Sequence, residues 1–63
     1  QGRREGLYLS RQMAKGTTIT ATDVVIKRPA IGLRARYAST VIGAKLNVET
    51  DKDQPLRWDM LSF

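Results

Sequence analysis

Cysteine and histidine are both absent from this 63-residue sequence. Without cysteine the chain has no disulfide and no thiolate metal site, and without histidine it lacks the side chain most often used as a general acid or base. A reduced, cytoplasmic setting fits a cysteine-free chain. No apolar run approaches the roughly 18 residues needed to cross a membrane, and no signal-peptide pattern opens the sequence. We therefore expect no membrane partner.

The chain is also short. Its 63 residues make one small domain near the lower limit of what folds unaided, where a single core supplies about 3–5 kcal/mol. Because no stabilising staple is evident, we interpret the chain as a fragment of a larger protein whose other domains add stability. Residues 1–6 are polar and flanked by glycine, which predicts a flexible linker or a cloning remnant. Residues 7–63 are then the domain.

The net charge of +5, from eleven Lys and Arg against six Asp and Glu, raises nucleic acid as a partner. The distribution of the cations argues against it. No helix carries a basic stripe, and no aromatic run provides a stacking platform for bases. The composition favours a mildly basic, solvated surface with no nucleic-acid partner.

Short extended stretches and turns alternate along the chain. A strand-like stretch begins at Leu7, and turn signals lie at 15–17 and 51–55. Residues 35–42 predict a short helix or 3-10 turn, which Gly43 ends in the left-handed conformation. No segment sustains helical periodicity beyond about three turns. The pattern predicts a mostly β fold, small and irregular, with several short strands and one-turn helices.

The predicted core consists of the apolar residues in these short elements. They are Leu7, Leu9, Met13, Ile19, Val24, Ile26, Ile31, Val41, Ile42, Leu46, Val48, Leu56, Met60 and Leu61.

Two stretches of the chain, 15–25 and 52–61, are similar. Each has a turn after Lys, then an aliphatic residue and a polar step into Asp before a hydrophobic pair. The repeat predicts an internal pseudo-two-fold arrangement. Thr20-x-x-Asp23 matches the capping pattern that opens a short helical turn. Asp59 holds the matching place in the second repeat, where we also expect it to cap.

Independent catalysis has little support in the sequence. The carboxylates match no calcium-loop or zinc spacing, no glycine loop cradles a phosphate, and the serines lack a base partner. We predict no catalytic residue, no metal ligand and no cofactor in this domain.

The segment between the two repeats, residues 26–32, is the predicted functional segment. Pro29 biases Arg28 toward an extended backbone, so the Arg28 side chain should project from a strand end or loop. A guanidinium presents a planar fork of donors that grips carboxylate, phosphate or carbonyl oxygens. Arg28 is therefore the predicted ligand-binding residue, and Lys27 is a weaker candidate.

A set of motifs runs in order through nearly the whole chain. They are Lys15-Gly16-Thr17, Ile19-Thr20, Asp23-Val24, Val25-Ile26-Lys27-Arg28-Pro29, Gly32, Tyr37, Val41-Ile42-Gly43-Ala44-Lys45-Leu46 and Pro55-Leu56-Arg57-Trp58-Asp59-Met60-Leu61. In this order and spacing, the stretch from Leu7 to Leu61 resembles the antifreeze-like (SAF) domain at the C-terminus of sialic acid synthases.

The resemblance implies the β-clip fold, which type III fish antifreeze proteins share. It also implies an enzyme that condenses phosphoenolpyruvate with N-acetylmannosamine or a related sugar in a metal-dependent TIM barrel. In such a homodimer the antifreeze-like domain of one subunit caps the barrel of the other, and Arg28 is expected to reach the acylamino sugar near its N-acyl group. The divalent metal is expected in the barrel, so this domain should not turn over substrate alone.

Two other functions stay open. A SAF-type domain also serves as a non-enzymatic module that binds carbohydrate or takes part in pilus or flagellar assembly. What precedes Gln1 in the parent reading frame would discriminate between these functions. Ice binding is disfavoured, because Asp23 and nearby Lys15 add charge to the patch that contains Thr17 and Thr18.

Overall fold

The computed structural model describes residues 3–63, and its central element is the strand β1 (Gly6–Leu9). Along one edge, β1 pairs antiparallel with β2 (Val24–Lys27), in a register that places Gly6 opposite Lys27. The sequence around β1 is a continuous apolar run and not an alternation, which is typical of a strand buried on both faces. All four of its residues are indeed buried.

The other edge of β1 is hydrogen-bonded by two separate loops. The N–H of Leu7 donates to the carbonyl of Leu33 (2.9 Å), and the carbonyl of Leu7 accepts from the N–H of Leu56 (2.9 Å). The N–H of Leu9 donates to the carbonyl of Gln54 (3.0 Å). Because partners lie on both sides, the backbone of β1 is satisfied without water.

The remaining elements are two to four residues long and are joined by turns. In chain order they are a 3-10 turn at Ala21–Asp23 before β2, a 3-10 turn at Ala35–Tyr37, the helix α1 (Ala38–Val41), the strand β3 (Lys45–Leu46), a 3-10 turn at Trp58–Met60 and the strand β4 (Leu61–Ser62). β3 and β4 pair antiparallel. The predicted fold class, mostly β with short strands and one-turn helices, is confirmed. Within residues 3–63 no helix is long and apolar enough to cross a membrane.

The two sequence repeats correspond to two similar structural units, in which a 3-10 turn leads directly into a paired strand. The aspartates of the two units differ, however. Asp23 is the last residue of its turn and is buried, whereas Asp59 is the middle residue of its turn and is exposed. Met60 takes the buried position in the second unit, and no side chain caps that turn. The prediction that Asp59 caps is therefore wrong.

Asp23 closes the first turn. Its carboxylate accepts hydrogen bonds from the backbone N–H and the hydroxyl of Thr20, both at 2.9 Å, and pairs with Nε of Arg11 at 2.9 Å. The Thr20 N–H contributes most to holding the pKa of Asp23 below its ordinary value of 3.8. The Thr20 hydroxyl and Arg11 act in the same direction, against the opposing effect of burial. The predicted Thr20–Asp23 capping is confirmed.

One cluster of buried apolar side chains forms the core. Most of the predicted core residues belong to it, and Val24 packs against it. The members are Leu7, Leu9, Met13, Ile19, Leu33, Val41, Ala44, Leu46, Leu56, Met60 and Leu61.

Four predicted core residues are exposed instead: Ile26, Ile31, Ile42 and Val48. Ile26 lies on the same face of β2 as Val24, which packs against the core, but nearer the end of the strand, where it is 51% exposed. The other three lie in connecting segments, where apolar character alone does not indicate which way the chain turns. Leu33 was missing from the predicted core, and it is buried where its backbone pairs with β1.

The folded part begins before residue 7. Gly6 lies in β1, and the carbonyl of Glu5 accepts a hydrogen bond from the N–H of Ala35 (3.0 Å). A Cβ at Gly6 would lie 2.7 Å from the Cα of Ala30, so a larger residue does not fit there. The domain therefore includes Glu5 and Gly6, which the sequence assigned to the linker. Residues 1 and 2 of that linker lie outside the described residues.

Truncation of a buried leucine tests the placement of the core. Leu56 is 0% exposed, and Leu56→Ala should lower the free energy of unfolding by about 2–5 kcal/mol through lost contacts and a cavity. Val48→Ala is the matched control, because Val48 was predicted to be buried but is exposed. It should change the free energy of unfolding by less than about 0.5 kcal/mol. Denaturant unfolding measures both variants, and equal losses would contradict this core.

Acid should destabilise the protein through Asp23. Because its pKa in the folded state lies below 3.8, the charged carboxylate favours folding above that value, and the contribution is lost as pH falls through the lower folded-state pKa. Asp23→Asn should therefore be less stable than wild type at pH 7, and the difference should shrink below about pH 4. Asp59→Asn is the control and should match wild type at pH 7. Urea unfolding across this pH range measures the difference in stability between wild type and Asp23→Asn. A difference that does not change with pH would contradict this role of Asp23.

Candidate functional site

Lys27 is held in place by the fold. It is the last residue of β2, and its Nζ lies 4.7 Å from the centre of the Tyr8 ring and 3.1 Å from Oδ1 of Asp53. The aromatic face and the carboxylate both favour the ammonium at this position. Because its charge already has partners, Lys27 is the less available of the two predicted cations.

Arg28 follows the last residue of β2 and has a different environment. Its side chain is exposed, and it makes none of the hydrogen bonds or ion pairs found within residues 3–63. The peptide bond from Arg28 to Pro29 is cis. The guanidinium is thus presented at the surface beyond the strand end, as its sequence context predicted.

We define the presented loop as residues 28–33. Its residues Pro29 and Ala30 contact β1. The hydroxyl of Tyr8 donates a hydrogen bond to the carbonyl of Pro29, which also accepts from the N–H of Ile31 (3.0 Å). Ala30 lies directly over Gly6, where no Cβ intervenes. Backbone and side-chain contacts therefore fix the residues that immediately follow Arg28.

The far end of the presented loop is attached just as closely. The N–H of Leu33 donates to the carbonyl of Leu56 (2.7 Å). A Cβ at Gly32 would lie 2.1 Å from that same carbonyl oxygen, so this approach needs glycine. The loop is therefore pre-organised, and a ligand would not have to order it on binding.

Two exposed isoleucines flank the arginine in sequence. Ile26 is 51% exposed and Ile31 is 56% exposed. Together with the exposed Pro29 they make the segment around Arg28 rich in exposed apolar side chains. Such a surface is suited to a ligand or partner that combines an apolar region with one hydrogen-bond acceptor.

The chemistry that Arg28 could supply at this site is hydrogen-bond donation. Arg28 supplies a planar set of donors, and neither Asp53 nor another carboxylate pairs with it among the residues described. Across residues 3–63 no group of three His, Cys, Asp or Glu is placed to hold a metal ion, and no ligand-sized cavity is present. The fold thus leaves the Arg28 guanidinium exposed and without a carboxylate partner among the described residues.

The charge near the threonine patch, which contains Thr17 and Thr18, differs from the one expected from the sequence. Asp23 is only 3% exposed, so its charge is not displayed at the surface as the sequence suggested. The Thr20 hydroxyl is hydrogen-bonded to that carboxylate, and the Arg11 side chain that pairs with it is 57% exposed. The cation near the patch is therefore Arg11, in addition to the exposed Lys15.

Sequence reasoning missed the two residues that organise the site. Tyr8 contacts both the Pro29 carbonyl and Lys27, and Asp53 neutralises Lys27 from 26 positions away. No local pattern reports such contacts. The one available signal was the position of Asp53 in the predicted 51–55 turn, because Asp tolerates the left-handed conformation that it adopts there, with a φ of 67°.

Known proteins resemble this chain over nearly its full length. The SAF domain family model matches residues 4–62. An uncharacterized protein of Methanocaldococcus jannaschii is 26% identical over 92% of this chain, and the N,N'-diacetyllegionaminic acid synthase of Legionella pneumophila is 27% identical over 89% of it. These matches cover 17% and 16% of the two relatives, so the chain spans about a sixth of their length.

A solved structure has the same fold. It is the solution structure of an antifreeze protein like domain in human N-acetylneuraminic acid phosphate synthase. The TM-score is 0.90 at 16% identity, and the match covers 100% of this chain and 81% of that one. The likeness establishes the antifreeze-like fold.

Removal of the Tyr8 hydroxyl should loosen the presented loop. Tyr8→Phe keeps the ring beneath Lys27 but removes the donor to Pro29, which should speed amide hydrogen exchange at Ile31. The free energy of unfolding should fall by about 0.5–1.5 kcal/mol, the net contribution of one such hydrogen bond. Tyr37→Phe is the control, since Tyr37 lies outside the loop. Unchanged exchange at Ile31 in Tyr8→Phe would show that the hydroxyl does not hold the loop.

Proposed function

We propose, from the premise that this chain belongs to the SAF domain family, that it is the substrate-capping domain of a sialic acid synthase-like enzyme. The reaction would be the condensation of phosphoenolpyruvate with N-acetylmannosamine or a related sugar. Support comes from the synthases among its relatives and from its coverage of a sixth of their length. The rest of such a polypeptide would carry the barrel in which the reaction occurs.

Arg28 is the residue through which the domain would act. The observation that carries this proposal is a free guanidinium on a loop that is already fixed. Its fork of donors suits the carbonyl oxygen of an N-acyl group on the sugar. Since Lys27 is paired with Asp53, it would contribute the smaller part.

The role of Arg28 would be positioning. Binding the N-acyl group would orient the sugar toward its reaction partner, and a closed cap would exclude water. The exposed Ile26 and Ile31 would provide the apolar rim of that cap. No proton or bond is transferred by the domain in this mechanism.

In the proposed homodimer each domain caps the barrel of the other subunit. The barrel would hold the divalent metal. The described part of this chain does not fit a metal, because no three ligand-type side chains converge there. The domain would therefore contribute substrate recognition to a reaction whose catalytic groups lie elsewhere.

Replacement of Arg28 in the full-length parent enzyme tests the proposal. Arg28→Ala should lower kcat/KM for the acylamino sugar by about 10- to 100-fold, since a charge-assisted hydrogen bond contributes about 1.5–3 kcal/mol. The KM for phosphoenolpyruvate should not change. Arg28→Lys keeps the charge but not the fork and should be intermediate. Lys27→Ala should have a smaller effect than Arg28→Ala.

The control is Lys52→Ala, which removes an exposed cation from the 51–55 turn. It should have wild-type kinetics. If Arg28→Ala has wild-type kinetics as well, Arg28 does not touch the sugar. A parent reading frame without a barrel would instead favour a non-enzymatic SAF-type binding or assembly module.

A further inference from the structure

Three of the chain's four aromatic residues meet at the surface, where Tyr37 is partly buried against the core and the other two are exposed. The sequence has one Trp, two Tyr and one Phe, and we call the cluster of Tyr37, Trp58 and Phe63 the aromatic face. The ring centres of Tyr37 and Trp58 are 5.2 Å apart at an interplanar angle of 73°, and those of Trp58 and Phe63 are 6.1 Å apart at 49°. Trp58 is 44% exposed and Phe63 is 79% exposed.

One arginine contacts the aromatic face, and two more lie close to it in the sequence. The Arg36 guanidinium lies 4.9 Å from the centre of the Tyr37 ring, and its Nη2 donates to the Tyr37 hydroxyl at 2.8 Å. Arg34 and Arg57 precede the two 3-10 turns that carry Tyr37 and Trp58, and both are exposed. The aromatic face therefore has a positive charge at its edge, on Arg36.

An exposed aromatic cluster of this kind needs an explanation. Ile42 and Val48 are also exposed, but isolated apolar residues at a surface are ordinary. Trp58 and Phe63 are contiguous, and Trp, Tyr and Arg are the residues that most often dominate the energy of protein interfaces. The composition and the arrangement both point to a protein partner.

We propose that the aromatic face docks on an apolar surface edged with carboxylates in the remaining part of the parent polypeptide. The inference rests on the proposed function, because that function places this domain against a barrel. Two further observations support this occupant. The positive edge requires an acidic counterpart, and the curated relatives are about six times as long as the matched region, which covers 17% and 16% of them. A surface on the same polypeptide acts at high effective concentration.

A second copy of this chain fits the aromatic face poorly. Pairing two copies through it would bring the Arg36 side chains of the two copies close together, and like charges at an interface oppose association. The chain's net charge of +5 adds to that repulsion.

Single-stranded nucleic acid also fits less well. Stacking of successive bases needs free ring faces along a positive groove. Here Trp58 meets Tyr37 edge-on, and Arg36 already lies over the ring of Tyr37. Asp59 adds a negative charge next to Trp58. A protein surface accommodates tilted rings and mixed charges more readily than a nucleic acid does.

Hydroxyl-radical footprinting of the full-length parent protein tests the docking. Oxidation rates are compared with those expected for each side chain at the exposure it has in this domain. Trp58 and Phe63 should react about tenfold more slowly if the docked state is populated for about nine-tenths of the time. Ile42, which is 39% exposed and lies outside the aromatic face, should react at its expected rate. Full reactivity of Trp58 and Phe63 would overturn the proposal.

Charge reversal tests the positive edge. Arg36→Glu in the parent protein should restore the oxidation of Trp58, whereas Lys52→Glu, with the same charge change in the 51–55 turn, should not. Equal protection of Trp58 in the two variants would contradict the proposal that the partner surface carries carboxylates. This readout is separate from the sugar kinetics of Arg28→Ala. If Trp58 and Phe63 are protected but Arg28→Ala has wild-type kinetics, only the proposed function is refuted. If Arg28→Ala lowers kcat/KM but Trp58 and Phe63 are not protected, only the docking is refuted.

The rival occupants give distinct results. Tight binding of a single-stranded oligonucleotide that Trp58→Ala abolishes would overturn a protein partner. Self-association of the 63-residue chain in sedimentation experiments, abolished by the same substitution, would assign the aromatic face to a second copy. We expect neither.

Discussion

Hydrogen bonds along both edges of β1 hold the other parts of the fold in place. β2 lies on one edge, and the loops that contain Leu33 and Leu56 lie on the other. Each such bond contributes about 0.5–1.5 kcal/mol net, but a buried group left without its partner costs about 1–3 kcal/mol. In a chain with few residues for a core, this arrangement buries a whole strand and connects segments that are distant in sequence.

The functional contrast between two adjacent cations follows from where the β1–β2 pairing ends. Lys27 is the last paired residue, and the strand directs its ammonium over Tyr8 and toward Asp53. Arg28 comes one residue later, beyond the strand, and the fixed loop that follows leaves its guanidinium exposed. One cation therefore supports the structure, and the other is available to a ligand.

A short segment at residues 55–58 connects the presented loop with the aromatic face. Leu56 accepts from the N–H of Leu33, donates to the carbonyl of Leu7 and closely contacts Gly32. Trp58 lies two residues further along. Because both surfaces depend on the same segment, docking through one would fix the orientation of the other. In the proposed cap, placing a single arginine in another subunit's active site would need such rigidity.

The sequence alone determined the features that depend on near neighbours: the turn at Lys15-Gly16, the Thr20–Asp23 capping and the left-handed Gly43 shortly after α1, which has a φ of 97°. It also determined the fold class and, through the resemblance, the family. Only the tertiary structure decided which cation is free. Lys27 is paired with Asp53, which lies 26 positions away, and Pro29 is held by Tyr8, which lies 21 positions away. The tertiary structure likewise exposed Ile26 and Ile31 and gathered the aromatic residues. Composition and spacing specify local hydrogen bonds, whereas contacts between distant residues depend on how the whole backbone is paired.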